Sequence, residues 1–247
     1  MFSETLRHFA CNETGRDMVV GDIHGNFSQL RRTLNMLHFS PDKGDRLFSV
    51  GDLVDRGPES DEVLTWLDKP WFHAVAGNHE FLALRRAQGN PYDVVDHLRQ
   101  GGGWLDVFRP DERARLIELL LALPLAIEVE TPAGLVGIIH AECPVDDWDE
   151  LRSKPLRAAQ LHTSLWSIER MRKGTETTIA NVRAVIHGHV TVGGMRVLGN
   201  CHFIDTGGWR PTGTFTVLDL HTLKPLIGPK AEPRGKSGLV LKPRPKV

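Results

Sequence analysis

From residue 17 onward, two kinds of apolar pattern take turns along the chain. Short runs rich in β-branched and apolar residues, DMVVGD at 17–22, DRLFSVGD at 45–52 and WFHAVAGN at 71–78, read as strands. Between and after them, SQLRRTLNMLHF at 28–39 and SDEVLTWLDK at 60–69 space their apolar residues by three and four, the period of a half-buried helix. RPDERARLIELLLALP at 109–124 predicts another helix, stopped at Pro124. The remainder reads mainly as strands: LAIEVET, GLVGIIHAE, VRAVIHGHV, CHFIDTG and GTFTVLDL, with GGMRVLG as a further short one. Strands alternating with helices and then strands in succession predict a layered α/β core.

The chain has 247 residues, 40% of them hydrophobic, enough to bury a full core. One domain is expected over residues 1–227. The last twenty residues, GPKAEPRGKSGLVLKPRPKV at 228–247, are basic, proline-rich and poor in apolar groups, so a mobile or loosely docked tail is expected there. The formal net charge of −1 supplies no global field for nucleic acid or an anionic membrane, and any anion must be met by local charge. Three scattered cysteines, Cys11, Cys143 and Cys201, suggest neither a disulfide framework nor a thiolate zinc site, which fits a reducing, cytoplasmic setting. The first seventeen residues lack the basic and apolar regions of a signal peptide, and no window holds the roughly eighteen apolar residues of a membrane span.

The turns at the strand ends narrow the function. GDIHG after the first strand offers Asp22 and His24, GDLVDRG after the second offers Asp52, Asp55 and Arg56, and GNHE after the third offers Asn78, His79 and Glu80. Two later strands end in His140 (GIIHAE) and in His187 and His189 (AVIHGHV). Side chains from the carboxyl ends of several strands converge on a rigid base. Carboxylate, imidazole and amide oxygen without thiolate suit manganese, iron or zinc, and a shared carboxylate suits ions about 3.5–4 Å apart, as used for displacement at phosphorus.

In this order and spacing, GDIHG, GDLVDRG and GNHE, followed by separate His-Ala and Gly-His elements, resemble the PPP-type serine/threonine phosphatases of the calcineurin-like metallophosphoesterase superfamily. LFSVGDLVDRGPES, WFHAVAGNHE, QGGGW at 100–104, HAECPVDDW and FIDTGG are similar to its bacterial and phage lambda phosphatase branch. The resemblance covers roughly residues 17–220. It implies two mixed β-sheets packed as a sandwich flanked by helices, and two divalent ions, Mn2+ first, with Fe or Zn as alternatives. Carried onto this chain, it assigns Asp22 and His24 to the first metal, Asp52 as the bridge, and Asn78, His140 and His189 to the second, with His187 a minor alternative to His189. It implies a hydroxide activated by both metals and attacking phosphorus in line, His79 as the acid that protonates the leaving group, Asp55 as its orienting partner, and Arg56 with Asn78 on the phosphate. The bland alternative for Arg56 is a salt bridge to Glu59 or Asp61.

Two departures stand out. The arginine that the family carries before GNHE is Ala76 here, and the one expected in LWSIER falls on Ile168. A charge-assisted hydrogen bond contributes about 1.5–3 kcal/mol, so two missing contacts cost about two to four powers of ten unless replaced. Arg170, Arg85 and Arg86 are the candidates to replace them. The other histidines, His97 among them, and the tryptophans read as packing or satisfied polar groups; packing is the expectation even for Trp209, although the GGWRP turn after FIDT brings the mouth of the site within its reach. The expected substrate is a phosphorylated protein or small phosphoester, with no nucleic-acid polymer and no membrane. A symmetrical dinucleoside tetraphosphatase is the alternative enzyme, and a non-catalytic phospho-binding module the third reading.

Overall fold

The structure, a computed structural model, describes residues 2–90, 94–153 and 156–230. The expected strands form β2 (Asp17–Val20), β3 (Arg46–Ser49), β4 (Phe72–Ala74), β5 (Pro124–Val129), β6 (Val136–Ile139), β7 (Ala184–His187), β8 (Arg196–Leu198), β9 (Cys201–Phe203) and β10 (Thr216–Asp219). The expected helices are α1 (Phe27–Met36), α2 (Val63–Leu67) and α5 (Pro110–Leu121), and a further helix α3 (Asn78–Ala87) begins within GNHE. Pro124 opens β5 after α5 has already ended.

Two edge strands and a helical stretch were not anticipated. β1 (Glu4–Phe9) pairs parallel to β5, and β11 (Pro225–Ile227) pairs antiparallel to β10. Residues 150–173 hold α6 (Glu150–Ser153), α7 (Ala158–Trp166) and α8 (Glu169–Lys173) where mostly strands were expected. α4 (Val94–Arg99) precedes a 3-10 turn at Gly102–Val107. Of the expected tail, residues 231–247 lie outside the described residues. Its first residues are held: Gly228 N donates to Phe215 O at 2.8 Å and Gln29 Nε2 to Pro229 O at 2.6 Å.

One sheet runs β1-β5-β6-β7-β9-β8 and the other β11-β10-β2-β3-β4, both with parallel and antiparallel neighbours. The period of two along each strand sorts its side chains between layers. Val19, Phe48 and Val75 face Ile127, Ile138 and Ile186 in the apolar layer between the sheets. Met18, Val20 and Leu47 turn the other way, to pack with Phe27 and Leu30 of α1, Trp66 of α2 and Leu116 of α5. On the far face of the six-stranded sheet, Ala126, Ile139 and Val185 pack with Trp148 and Phe203. β2, β3 and β4 are parallel, as are β6 and β7, and their carboxyl ends carry the chemistry-bearing motifs.

Candidate metal centre

The turns after β2 and β3 interlock through the backbone. His24 N donates to Asp52 O at 2.8 Å and Gly25 N to Leu53 O at 2.7 Å. Buried Glu80, the third residue of α3, accepts from Asp52 N at 2.8 Å, Leu53 N at 2.7 Å and Gly77 N at 2.8 Å, tying GDLVDRG to GNHE. Burial, and next the charge of Asp52, push its carboxyl up to about 7. Glycine at 77 and 188 has a steric reason. A Cβ at Gly77 would overlap the Asp52 carboxylate, and one at Gly188 would overlap Asp22. His24, Asp52, Asp55, Arg56 and His189 all sit at positive φ, from 44° at His24 to 70° at Asp55, a conformation uncommon for side-chain-bearing residues.

On one side of Asp52, His140 Nε2 lies 2.9 Å from Asn78 Oδ1, 3.2 Å from His189 Nδ1 and 3.3 Å from Asp52 Oδ1. The other ring nitrogen of His140, Nδ1, donates to Val50 O at 2.8 Å, so Nε2 is left as a bare lone pair. Lone pairs therefore converge from His140, Asn78 and Asp52, an arrangement that a cation relieves. Burial lowers the His140 imidazolium and takes that of His189 to about 4, keeping both rings neutral and able to ligate. His187 is not part of this group. It is buried, stacks on Phe203 at 4.9 Å and donates from Nδ1 toward Ile139 O at 3.1 Å.

On the other side, His24 Nε2 is 3.5 Å from Asp52 Oδ2 and 3.9 Å from Asp22 Oδ2, and Nδ1 donates to Val54 O at 2.9 Å. Burial takes the His24 imidazolium down to about 3. Burial and then the charges of Asp205 and Asp52 hold the Asp22 carboxyl well above its usual range, a crowding of carboxylates that a dication offsets. The donors His24, Asp52 and His79 lie together, as do Asp52, His140 and His189, within 4.8 Å in each group. Oxygen and imidazole donors in two groups that share Asp52 fit two divalent ions.

His79 Nδ1 donates to Asp55 Oδ2 at 2.7 Å, both side chains buried. Burial opposes the charged ring, but Asp52 and the bond to Asp55 outweigh it and raise the His79 imidazolium above its ordinary value. Arg56 forms neither of the salt bridges suggested for it: its NH1 donates to His24 Nε2 at 2.8 Å and its NH2 to His79 Nε2 at 3.1 Å, while Glu59 accepts from Ser28 N. Its guanidinium lies 4.6 Å from the ring centroid of Trp209, which meets His24 edge-on at 5.1 Å. Trp209 thus reaches the site mouth. Its signal was the proximity of GGWRP to FIDTG.

The three arginines considered as replacements make contacts elsewhere. Arg170 donates from NH1 to Thr175 O and Thr177 O, Arg85 lies over Phe81 at 5.4 Å, and Arg86 is buried against Gly102 O and Asp106. Ala76 is fully buried and Ile168 exposed. His97 and Trp104, read from sequence as packing residues, both donate to Asp55 Oδ1, at 2.9 and 2.6 Å. The QGGGW turn was the available signal for them.

The chain belongs to the calcineurin-like phosphoesterase family, whose model matches residues 16–193, and it is a hydrolase with a dinuclear divalent metal site. Among its relatives is serine/threonine-protein phosphatase 2 of Salmonella typhimurium, 38% identical over 200 residues that span 77% of this chain and 87% of the relative. It is also similar to the symmetrical bis(5'-nucleosyl)-tetraphosphatase of Methylococcus capsulatus, 34% identical over 127 residues, 51% of this chain and 42% of the relative. In three dimensions it shares its fold with a solved chain provisionally assigned as a diadenosine tetraphosphatase, at a TM-score of 0.65 and 21% identity, covering 92% of this chain and 98% of that one.

Proposed function

We propose that this protein is a serine/threonine protein phosphatase that hydrolyses phosphomonoesters with water as the nucleophile, in a reducing cytoplasm, on manganese as its working metal. The observation that carries this reading is the buried acceptor cluster around Asp52, flanked by the His79–Asp55 pair and by Arg56. Asp22, His24 and Asp52 would hold one ion, and Asp52, Asn78, His140 and His189 the other. Two divalent ions held there would supply Lewis acidity toward phosphoryl oxygen and lower the pKa of water.

The side chains then divide the remaining work. Arg56 leaves its two imidazoles when its fork turns to two phosphate oxygens, which frees His79 Nε2. Asn78, next to it, offers its amide group to the same phosphate. His79 carries the proton that a serine or threonine oxygen needs as its bond to phosphorus breaks, and Asp55 keeps the ring oriented and supports its charge. Neither Cys143 nor Cys201 competes as nucleophile, since burial pushes the Cys143 thiol up to about 12 and that of Cys201 to about 11.

The test is steady-state hydrolysis by metal-stripped protein reloaded with manganese, on a phosphothreonine peptide, an aryl phosphate and diadenosine tetraphosphate, with Asp52→Asn as control. Peptide turnover that vanishes in the control is expected. His79→Asn should slow the alkyl ester by about two powers of ten more than the aryl ester, whose phenolate leaves unaided. A second reading, dinucleoside tetraphosphate hydrolysis, draws on the half-buried Trp209 ring at the site mouth, a surface on which a nucleobase can stack. Turnover of the dinucleotide alone would favour it.

A further inference from the structure

Asp55 is fully buried and its two oxygens are divided. Oδ2 accepts from His79, while Oδ1 accepts from both His97 Nε2 at 2.9 Å and Trp104 Nε1 at 2.6 Å. Arg86 only donates, so its approach to His97 Nδ1 at 3.4 Å makes that nitrogen an acceptor and leaves the ring proton on Nε2, toward Asp55. Arg86 also donates to Gly102 O at 2.7 Å and pairs with Asp106, which fastens the turn carrying Trp104 to α3. Gly101, at φ 96°, lets that turn close on the site: a Cβ there would meet Arg56 N at 2.5 Å. Trp104 packs edge-on against Phe108 at 5.3 Å, so its ring has a role in packing apart from its N–H.

We infer that His97 and Trp104 are positioning residues that hold the Asp55 carboxylate with one oxygen committed to His79, and so set the orientation of the leaving-group acid. The inference rests on the proposed phosphatase reading. With only His79 as partner, Asp55 could rotate about its Cβ–Cγ bond and lose the line of the bond. Two donors on Oδ1 remove that freedom, and the cost of leaving either donor unpaired in a buried site keeps them there.

Trp104→Phe keeps the ring and deletes the N–H. It should lower kcat on a phosphothreonine peptide about tenfold or more, with KM within about twofold and aryl phosphate turnover within about threefold of wild type. His97→Leu should behave alike, and His97→Gln, which can still donate, should recover most of the loss. In metal-free labelled protein, the proton between His79 Nδ1 and Asp55 Oδ2 should give a protected downfield resonance that Trp104→Phe and His97→Leu shift or broaden. Equal losses on both esters, or a resonance unchanged in both variants, overturns the inference. If wild type turns over neither ester while the variants move the resonance, the phosphatase reading fails and the positioning of His79 stands.

Discussion

The two sides of Asp52 both bring imidazole and oxygen donors, but what meets those donors differs. On the second side, the His140 Nε2 lone pair faces Asn78 Oδ1 at 2.9 Å and Asp52 Oδ1 at 3.3 Å, with the far nitrogen of the ring pinned to a carbonyl. Around His24, a cation is already present: the Arg56 guanidinium sits 2.8 Å from the nitrogen that faces Asp52. A buried group of lone pairs repels itself unless positive charge enters it. One side is therefore arranged for an ion with no side chain in the way, whereas on the other side ion and arginine compete for one imidazole. The arginine proposed to grip phosphate is the same one that stands 2.8 Å from His24 Nε2, so the proposal requires one residue in two positions.

The largest effect should come from removing what both sides share. Asp52→Asn is expected to reduce kcat by about a thousandfold or more and to eliminate the rise in Tm that manganese gives the stripped wild type. Calorimetric titration with manganese would show one weakened site or two, and two intact sites would break the comparison. Next, Arg56→Ala should separate the sides. It lowers kcat/KM by about ten- to a hundredfold through the lost phosphate contact, yet tightens manganese at the His24 side by about tenfold, with the His140 side unchanged. Weaker binding at both sides would mean that the arginine supports the site and does not compete in it. The smallest effect on activity belongs to the remote Asp45, buried and bonded by Arg16 N at 2.8 Å, Arg16 NH2 at 2.6 Å and Ser40 N at 2.9 Å. Asp45→Asn should leave kcat alone and cost about 1–2 kcal/mol in urea unfolding at neutral pH. Burial opposes ionisation of Asp45, but its bonds to Arg16 and Ser40 hold the carboxyl below its usual range. Its stabilisation is thus present above the unfolded-state pKa and lost as pH falls through the lower folded value, so wild type and variant should converge in acid.

Legibility in the sequence followed the strength of the local signal. Each strand that dies in Gly-Asp, Gly-Asn or a histidine announced itself, because an apolar run and a turn motif occur together in a few residues. β1 did not, since ETLRHF is an edge strand whose alternation is broken by charge, and it becomes a strand only by pairing with β5. The helices at 150–173 are short, with few buried residues, so their periodicity is weak. The donors to Asp55 were missed for another reason. QGGGW marked the turn, but it does not separate a tryptophan that packs from one whose N–H reaches a carboxylate 49 positions away. Whether Arg170 or Arg86 could stand in for the arginines missing at Ala76 and Ile168 was likewise a question only their partners could answer.

The positive φ angles at His24, Asp52, Asp55, Arg56 and His189 have a consequence for how this chain can change. Such a conformation costs an ordinary residue about 1–2 kcal/mol, and glycine or asparagine far less. In metal-free protein, drift under selection for heat resistance alone would run toward glycine at His24, Asp52, Arg56 and His189, each step making the molecule sturdier and less able to do its work, whereas at Asp55 the three donors left unpaired would outweigh the relief. A screen of random variants by melting temperature should therefore enrich for changes at these turns, and the sites where robustness and usefulness pull apart would mark out the reaction centre without any assay of the reaction.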